Sequence, residues 1–154
     1  MPPLALDAPF ARELADIAAT DPILTPALDR ARRLDLPDWL LVSGAVYQTV
    51  WNRLTGRPPG YGLRDLDLVY FDAADLAWEA EDAVIRRGAA AFAGSPVPVE
   101  IRNQARVHLW FESRFGIPCE PLASSTEGLR RYASRAHAVG LRLASDGAIE
   151  IHAP

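Results

Sequence analysis

Two aspartates separated by one leucine head a run of β-formers, Asp65-Leu66-Asp67-Leu68-Val69-Tyr70-Phe71, and this run restricts the fold more than any other part of the chain. In a strand, side chains at i and i+2 leave the same face, at about 6–7 Å between Cα atoms. Leu66 and Leu68 are therefore expected to face a core, and Asp65 and Asp67 to aim two carboxylates at the other side. The same aspartates also fit a solvated strand entry or a turn cap, so what lies around them decides between the two uses.

On the N-terminal side, Phe10, Leu14, Ile17 and Ala18 recur at helical spacing up to Thr20, and Asp21-Pro22 opens a second helix that runs through Leu28 and Arg32 to Leu34. Trp39-Leu40-Leu41-Val42 is a short, continuous apolar run that predicts a buried strand ending at Ser43-Gly44. A helix restarts at Ala45, with Val46, Val50 and Leu54 on one face, and stops at Gly56 and the loop through Gly62. Beyond the Asp65 strand, Asp72 is expected to cap a helix that carries Leu76, Ala80, Ala83 and Val84 on one face and Glu79, Glu81 and Asp82 on a solvated one. Val97 to Ile101 reads as a strand, Ala105 to Phe115 as a mixed segment, and Glu127 to Ala138 as a helix. Leu141 to Leu143 and Ile149 to Ile151 flank Asp146-Gly147 as a hairpin. The order is helices, then β-α-β-α-β, then more helix and a hairpin, within one expected domain, 1–154, made of an N-terminal helical segment 1–38 and a core 39–154.

Composition narrows the chemistry. The chain has 154 residues, no apolar run near the length of a membrane span, and a formal charge of -4. All 16 basic residues are arginine. An acidic balance opposes a general polyanion grip, which disfavours nucleic acid as a partner, and the lack of lysine removes Schiff-base and P-loop lysine chemistry. Arginine remains for phosphate, through its planar fork. The start Met1-Pro2-Pro3-Leu4 lacks the pattern of a secretory leader, and a lone Cys119 offers neither a disulfide nor a zinc site, so the cytoplasm is the expected compartment.

Asp65 and Asp67 suit Mg²⁺, which takes oxygen ligands and is held by one or two carboxylates plus substrate phosphates. Glu100, between Val99 and Ile101, completes an acidic triad if its strand neighbours theirs, or is simply the exposed member of an alternating strand. Ser43-Gly44-Ala45 lies where a strand gives way to a helix, where free N–H groups and the positive helix end receive phosphate. Arg102 and Arg106 bind phosphate or pair with neighbouring acids. An arginine such as Arg64 or Arg102 lying across the carboxylates would turn the triad into structural charge pairing. His108 has no partner at a telling spacing and stays outside the catalytic set, while Trp39, Trp51, Trp78 and Trp110 read as core or half-buried anchors, any one of which can stack a base.

Taken together, Ser43-Gly44-Ala45-Val46 with Thr49-Val50-Trp51-Asn52, then Asp65 to Asp72, then Glu100 to Trp110, resemble a bacterial nucleotidyltransferase-like family of the polymerase β superfamily over most of the chain from about Leu40 onward. The resemblance implies a mixed sheet flanked by helices, with Asp65, Asp67 and Glu100 as the catalytic and metal-binding carboxylates and the Gly44 turn receiving nucleotide phosphates. It also implies Mg²⁺ and a nucleoside triphosphate, with a nucleoside monophosphate passing to a hydroxyl acceptor that the sequence leaves open. A catalytically inactive member that binds a nucleotide or a protein is the competing expectation, motivated by two departures. Ala45 follows Gly44 where active members carry serine or glycine, and the chain ends at Pro154 where members of the family continue.

Overall fold

The computed structural model describes residues 2–5, 7–8 and 10–154. Its strands are β1 (Leu40–Val42), β2 (Leu66–Tyr70), β3 (Val99–Asn103), β4 (Gly140–Leu143) and β5 (Ile149–His152). They form one sheet in the order β3-β2-β1-β4-β5, with β2 and β3 parallel and every other pair antiparallel. The helices are α1 (Ala11–Thr20), α2 (Leu24–Arg33), α3 (Gly44–Leu54), α4 (Trp78–Ala91), α5 (Val107–Phe115) and α6 (Ser125–Leu129). This mixed sheet flanked by helices is the architecture expected from the sequence, and no helix among the described residues is long and apolar enough to cross a membrane.

Alternation divides the sheet. Leu41, Leu66, Leu68, Ile101, Leu141 and Ile151 point to one side and bury against α1 to α4, which supply Ala18, Leu24, Leu28 and Val46 to the same core. The parallel β2-α4-β3 unit packs tightly. A Cβ on Gly88 of α4 would lie 2.0 Å from the Ile101 side chain, so a larger residue there would have to displace that buried side chain. The opposite side carries a small second cluster of Leu40, Val42, Val69 and Leu129, with Tyr132 packed against it.

Local chemistry explains most element ends. Asp21 accepts from the backbone N–H of Ile23 and Leu24 at 2.9 and 2.8 Å, which starts α2. Ser124 caps α6 by accepting from Glu127 N–H at 3.0 Å. The hairpin turns at Asp146 and Gly147, the latter at φ 85.

Three local expectations are corrected. Asp72 does not cap α4; Asp72 and Asp75 instead accept from the N–H groups two residues on, Ala74 and Ala77, both at 2.9 Å, and these Asx turns delay the helix to Trp78. Glu81 is not solvated. It is 8% exposed, accepts from Asn103 N–H at 2.8 Å and pairs with Arg106. The helix expected over 127–138 is confined to α6, because the chain then breaks into turns in which Ser134 accepts from Ala136 N–H, while Leu129 and Tyr132 settle on the sheet.

Candidate functional site

Strand register puts Asp67 and Glu100, two of the sequence-marked residues, side by side on the face opposite the main core. Asp67 stands across from Val42 of β1 and from Glu100 of β3, so all three side chains share one face. Asp65 lies two residues before Asp67, just ahead of β2, and its charge reaches the Asp67 carboxylate. Because Val42 is Asp67's partner, the turn that follows Val42 delivers Ser43, Gly44 and Ala45 beside the carboxylate. Ser43 adopts φ 57 and ψ -129, a conformation that favours glycine and costs a residue with a Cβ about 1–3 kcal/mol. That strain sits at the mouth of α3, whose first amides, including those of Gly44 and Ala45, have no acceptor within the helix.

The electrostatics are those of crowded anions. Burial, then the neighbouring charges of Asp65 and Glu100, push the Asp67 pKa up to about 6, while the Ser43 hydroxyl and the Arg102 guanidinium pull it the other way. Tyr132 packs on the cluster that includes Val42, the strand partner of Asp67: burial first and the Asp67 charge second push its phenol up to about 12, so the hydroxyl keeps its proton.

Arg102 takes the place against Glu100. Its guanidinium lies 2.6 Å from the Glu100 carboxylate, and the two side chains are 48% and 45% exposed. Among the described residues, no group of three His, Cys, Asp or Glu side chains is gathered closely enough to hold a metal ion. Asp65, Asp67 and Glu100 therefore do not form a closed cation cage, and Glu100 is neutralised by its own strand neighbour. The donor set fits an ion held by a carboxylate pair and completed by phosphate oxygens, the manner in which Mg²⁺ is usually bound. The register that sets Asp67 across from Glu100, with Asp65 two residues before it, is the observation behind that fit, and the burial and like charges that raise the Asp67 pKa mean that a cation beside it would be favourable.

Arg106 goes elsewhere. It pairs with Glu81 and donates from Nε to the Leu76 carbonyl at 3.0 Å, tying α4 to the segment after β3. Glu81 belongs to α4, which covers the Ile101 side of the sheet, so this arginine braces the core side and is kept from the carboxylates by a buried ion pair. Asn103 is part of the same brace: its side chain accepts from Asp72 N–H at 3.0 Å and donates to the Asp72 carbonyl at 2.8 Å. His108 lies on α5 with Nδ1 buried and unpartnered.

A family model described as nucleotidyltransferase matches residues 29–154. The chain belongs to this nucleotidyltransferase family. A solved NMR structure described as a CCA-adding enzyme head domain is similar in fold, with a TM-score of 0.75 and 26% identity over 93% of this chain and 71% of that one. Together they identify the fold as that of a polymerase β-like nucleotidyltransferase. A comparison with curated proteins found no match.

Within this nucleotidyltransferase fold, Tyr132, Tyr47 and His137 form a chain of rings that the sequence pattern does not mark. Tyr132 lies within the segment whose spacing predicts a helix over 127–138, and that expectation hides its contact with the sheet. Tyr47 sits one turn into α3, where its spacing from Gly44 is a usable signal: its hydroxyl lies 3.8 Å from the position of a Cβ on Gly44. His137 stacks on Tyr47 with ring centroids 4.6 Å apart, a long-range contact that no local pattern announces.

Proposed function

We propose that this nucleotidyltransferase transfers a nucleoside monophosphate from a nucleoside triphosphate to a hydroxyl acceptor, with Mg²⁺ as the metal. The observation that carries the reading is the register of β1 against β2, which sets the strained Ser43-Gly44 turn and its unpaired amides beside Asp67. Anion-binding amides next to a crowded carboxylate pair suit a ligand that is itself a phosphate–cation complex. The likeness to a CCA-adding enzyme head domain supports a nucleotide donor.

In this reading Asp65 and Asp67 hold the metal, which when bound polarises the phosphate and stabilises charge on the leaving oxygen. Ser43, Gly44 and Ala45 orient the triphosphate through backbone N–H groups, and the Ser43 hydroxyl stands in for the one missing at Ala45. Arg102 has a choice of anions: it releases Glu100 to reach a phosphate oxygen, and the freed Glu100 carboxylate then accepts the acceptor's proton. An exposed pair of this kind is worth at most about 1 kcal/mol, so exchange of partners costs little.

A second reading, an inactive member that binds a nucleotide or a protein, is favoured by Ala45 and by the Arg102–Glu100 pair. One experiment separates the two. A nucleoside triphosphate with Mg²⁺ should raise the melting temperature, since a ligand bound only by the native state adds RT ln(1 + [L]/Kd), and Asp67→Asn should abolish the rise. A rise that survives in the variant removes Asp67 from the metal site. Binding with no pyrophosphate release across a panel of hydroxyl acceptors selects the inactive reading.

A further inference from the structure

A row of rings leads away from the carboxylates. Tyr132 packs on the cluster that includes Val42, the strand partner of Asp67, and meets His137 edge-on, with centroids 6.4 Å apart at 76°. His137 lies 4.6 Å from Tyr47 at 34°, and Tyr47 lies 4.7 Å from Trp51 at 54°. Tyr47 and Trp51 are successive turns of α3, the helix that begins at the Gly44 turn. From Gly44 to Trp51 is about 10 Å along the helix at 1.5 Å per residue, a length that a ribose and base cover when their phosphates sit at the turn.

Burial separates this row from ordinary packing. A tryptophan that anchors a fold covers its ring, as Trp39 does at 6% exposure, whereas Trp51 is 50% exposed and belongs to neither apolar cluster. A large aromatic surface left open at the outer end of a stacked row gains nothing for stability, yet it offers a π-face at the rim of the site.

We propose that Trp51, Tyr47 and His137 form a stacking platform for the base of the nucleoside triphosphate, anchored next to the phosphate-binding turn. The inference rests on the nucleotidyl-transfer reading and adds the way the base is held. Stacking uses the ring faces that every base possesses, so the platform discriminates weakly among bases and favours the larger purines over pyrimidines.

The test compares Mg²⁺ complexes of ATP, GTP and UTP with that of inorganic tripolyphosphate, which carries the phosphates and no base, by calorimetric titration of the full chain. The wild type should bind the purine nucleotides about five- to a hundredfold more tightly than tripolyphosphate, the range that a single base–aromatic stack supplies. Trp51→Ala should remove most of that advantage and leave tripolyphosphate affinity unchanged, and Trp51→Phe should restore part of it. Because Trp51 is half exposed, its replacement leaves the core intact. Equal affinity for nucleotide and tripolyphosphate, or nucleotide affinity unchanged in Trp51→Ala, overturns the platform while the phosphate site stands. If neither tripolyphosphate nor any nucleotide binds, the nucleotidyl-transfer reading itself falls and takes the platform with it.

Discussion

The two sides of the sheet are made from the same strands, yet one is settled and the other is not. On the α1–α4 side, Leu41, Leu66, Leu68 and Leu141 are fully buried, and the charge that enters, Glu81, is matched by Arg106 and by Asn103 N–H. On the other side a modest apolar cluster shares the surface with Asp65, Asp67, Glu100 and Arg102, where a carboxylate is held above its ordinary pKa and a serine is held at positive φ. Evolution of a face for stability alone would not gather like charges around a strained turn. The contrast separates the residues that hold the fold from those proposed to take a ligand.

The largest effect should come from the settled side. Leu68 has 0% exposure and sits in the middle of β2 against the helices, so Leu68→Ala should cost about 2–5 kcal/mol through lost burial and the cavity left behind. Urea denaturation would measure it. A loss below about 1 kcal/mol would mean that this face is loosely packed, and the contrast would fail at its firmest point.

Asp67 should respond with the opposite sign. Its pKa is raised from 3.8 to about 6, so between those values the native state holds more protons than the unfolded chain, and stability falls as pH rises through this window. Asp67→Asn should therefore stabilise the ligand-free fold above pH 6, by about 1 to 2 kcal/mol once partial exposure is discounted, and should flatten the pH dependence between about 4 and 6. Denaturation midpoints of both proteins across that range provide the check. Destabilisation by the asparagine at pH 7 would show that the carboxylate is already satisfied within the protein, and the unsettled side would be unsettled no longer.

The unequal legibility of the two sides in the sequence has a physical origin. Alternation at Asp65-Leu66-Asp67-Leu68 marks both faces of β2 because a period of two is a local property, and the hairpin at Asp146-Gly147 is legible for the same reason. The strand-to-helix turn at Gly44 is equally local, and the structure places it where the spacing implied. What stayed hidden depends on partners distant in the chain. Arg102 stands two residues from Glu100 on one strand, so that pairing follows from a period of two, whereas whether Arg106 faces phosphate or Glu81, 25 residues back, turns on which acid lies nearest after folding. The ring row is hidden twice over, since Tyr132 and His137 follow a short helix that ends at Leu129, after which the chain turns and packs on β1 and β2.

The smallest effect on stability, and the finest test of the contrast, lies at Arg102. Its bond to Glu100 is short, at 2.6 Å, but both side chains are nearly half exposed, so solvent screens the attraction and ordering two long side chains offsets much of it. Arg102→Gln should therefore change unfolding free energy by less than about 1 kcal/mol. The same substitution should matter more to the site. Arg102 is one of the groups that lower the Asp67 pKa, so its loss should raise that pKa further, which titration of the Asp67 carboxyl by NMR would read directly. It also releases Glu100, so Mg²⁺ alone should bind more tightly to the variant than to the wild type, whereas a nucleotide that uses Arg102 as a phosphate ligand should bind less tightly. A small stability change joined to these opposed shifts in affinity would place Arg102 on the ligand-ready side of the sheet. A loss above about 2 kcal/mol with unchanged Mg²⁺ affinity would instead make the Arg102–Glu100 pair a structural brace like Arg106–Glu81, and the open face would then hold only Asp65 and Asp67.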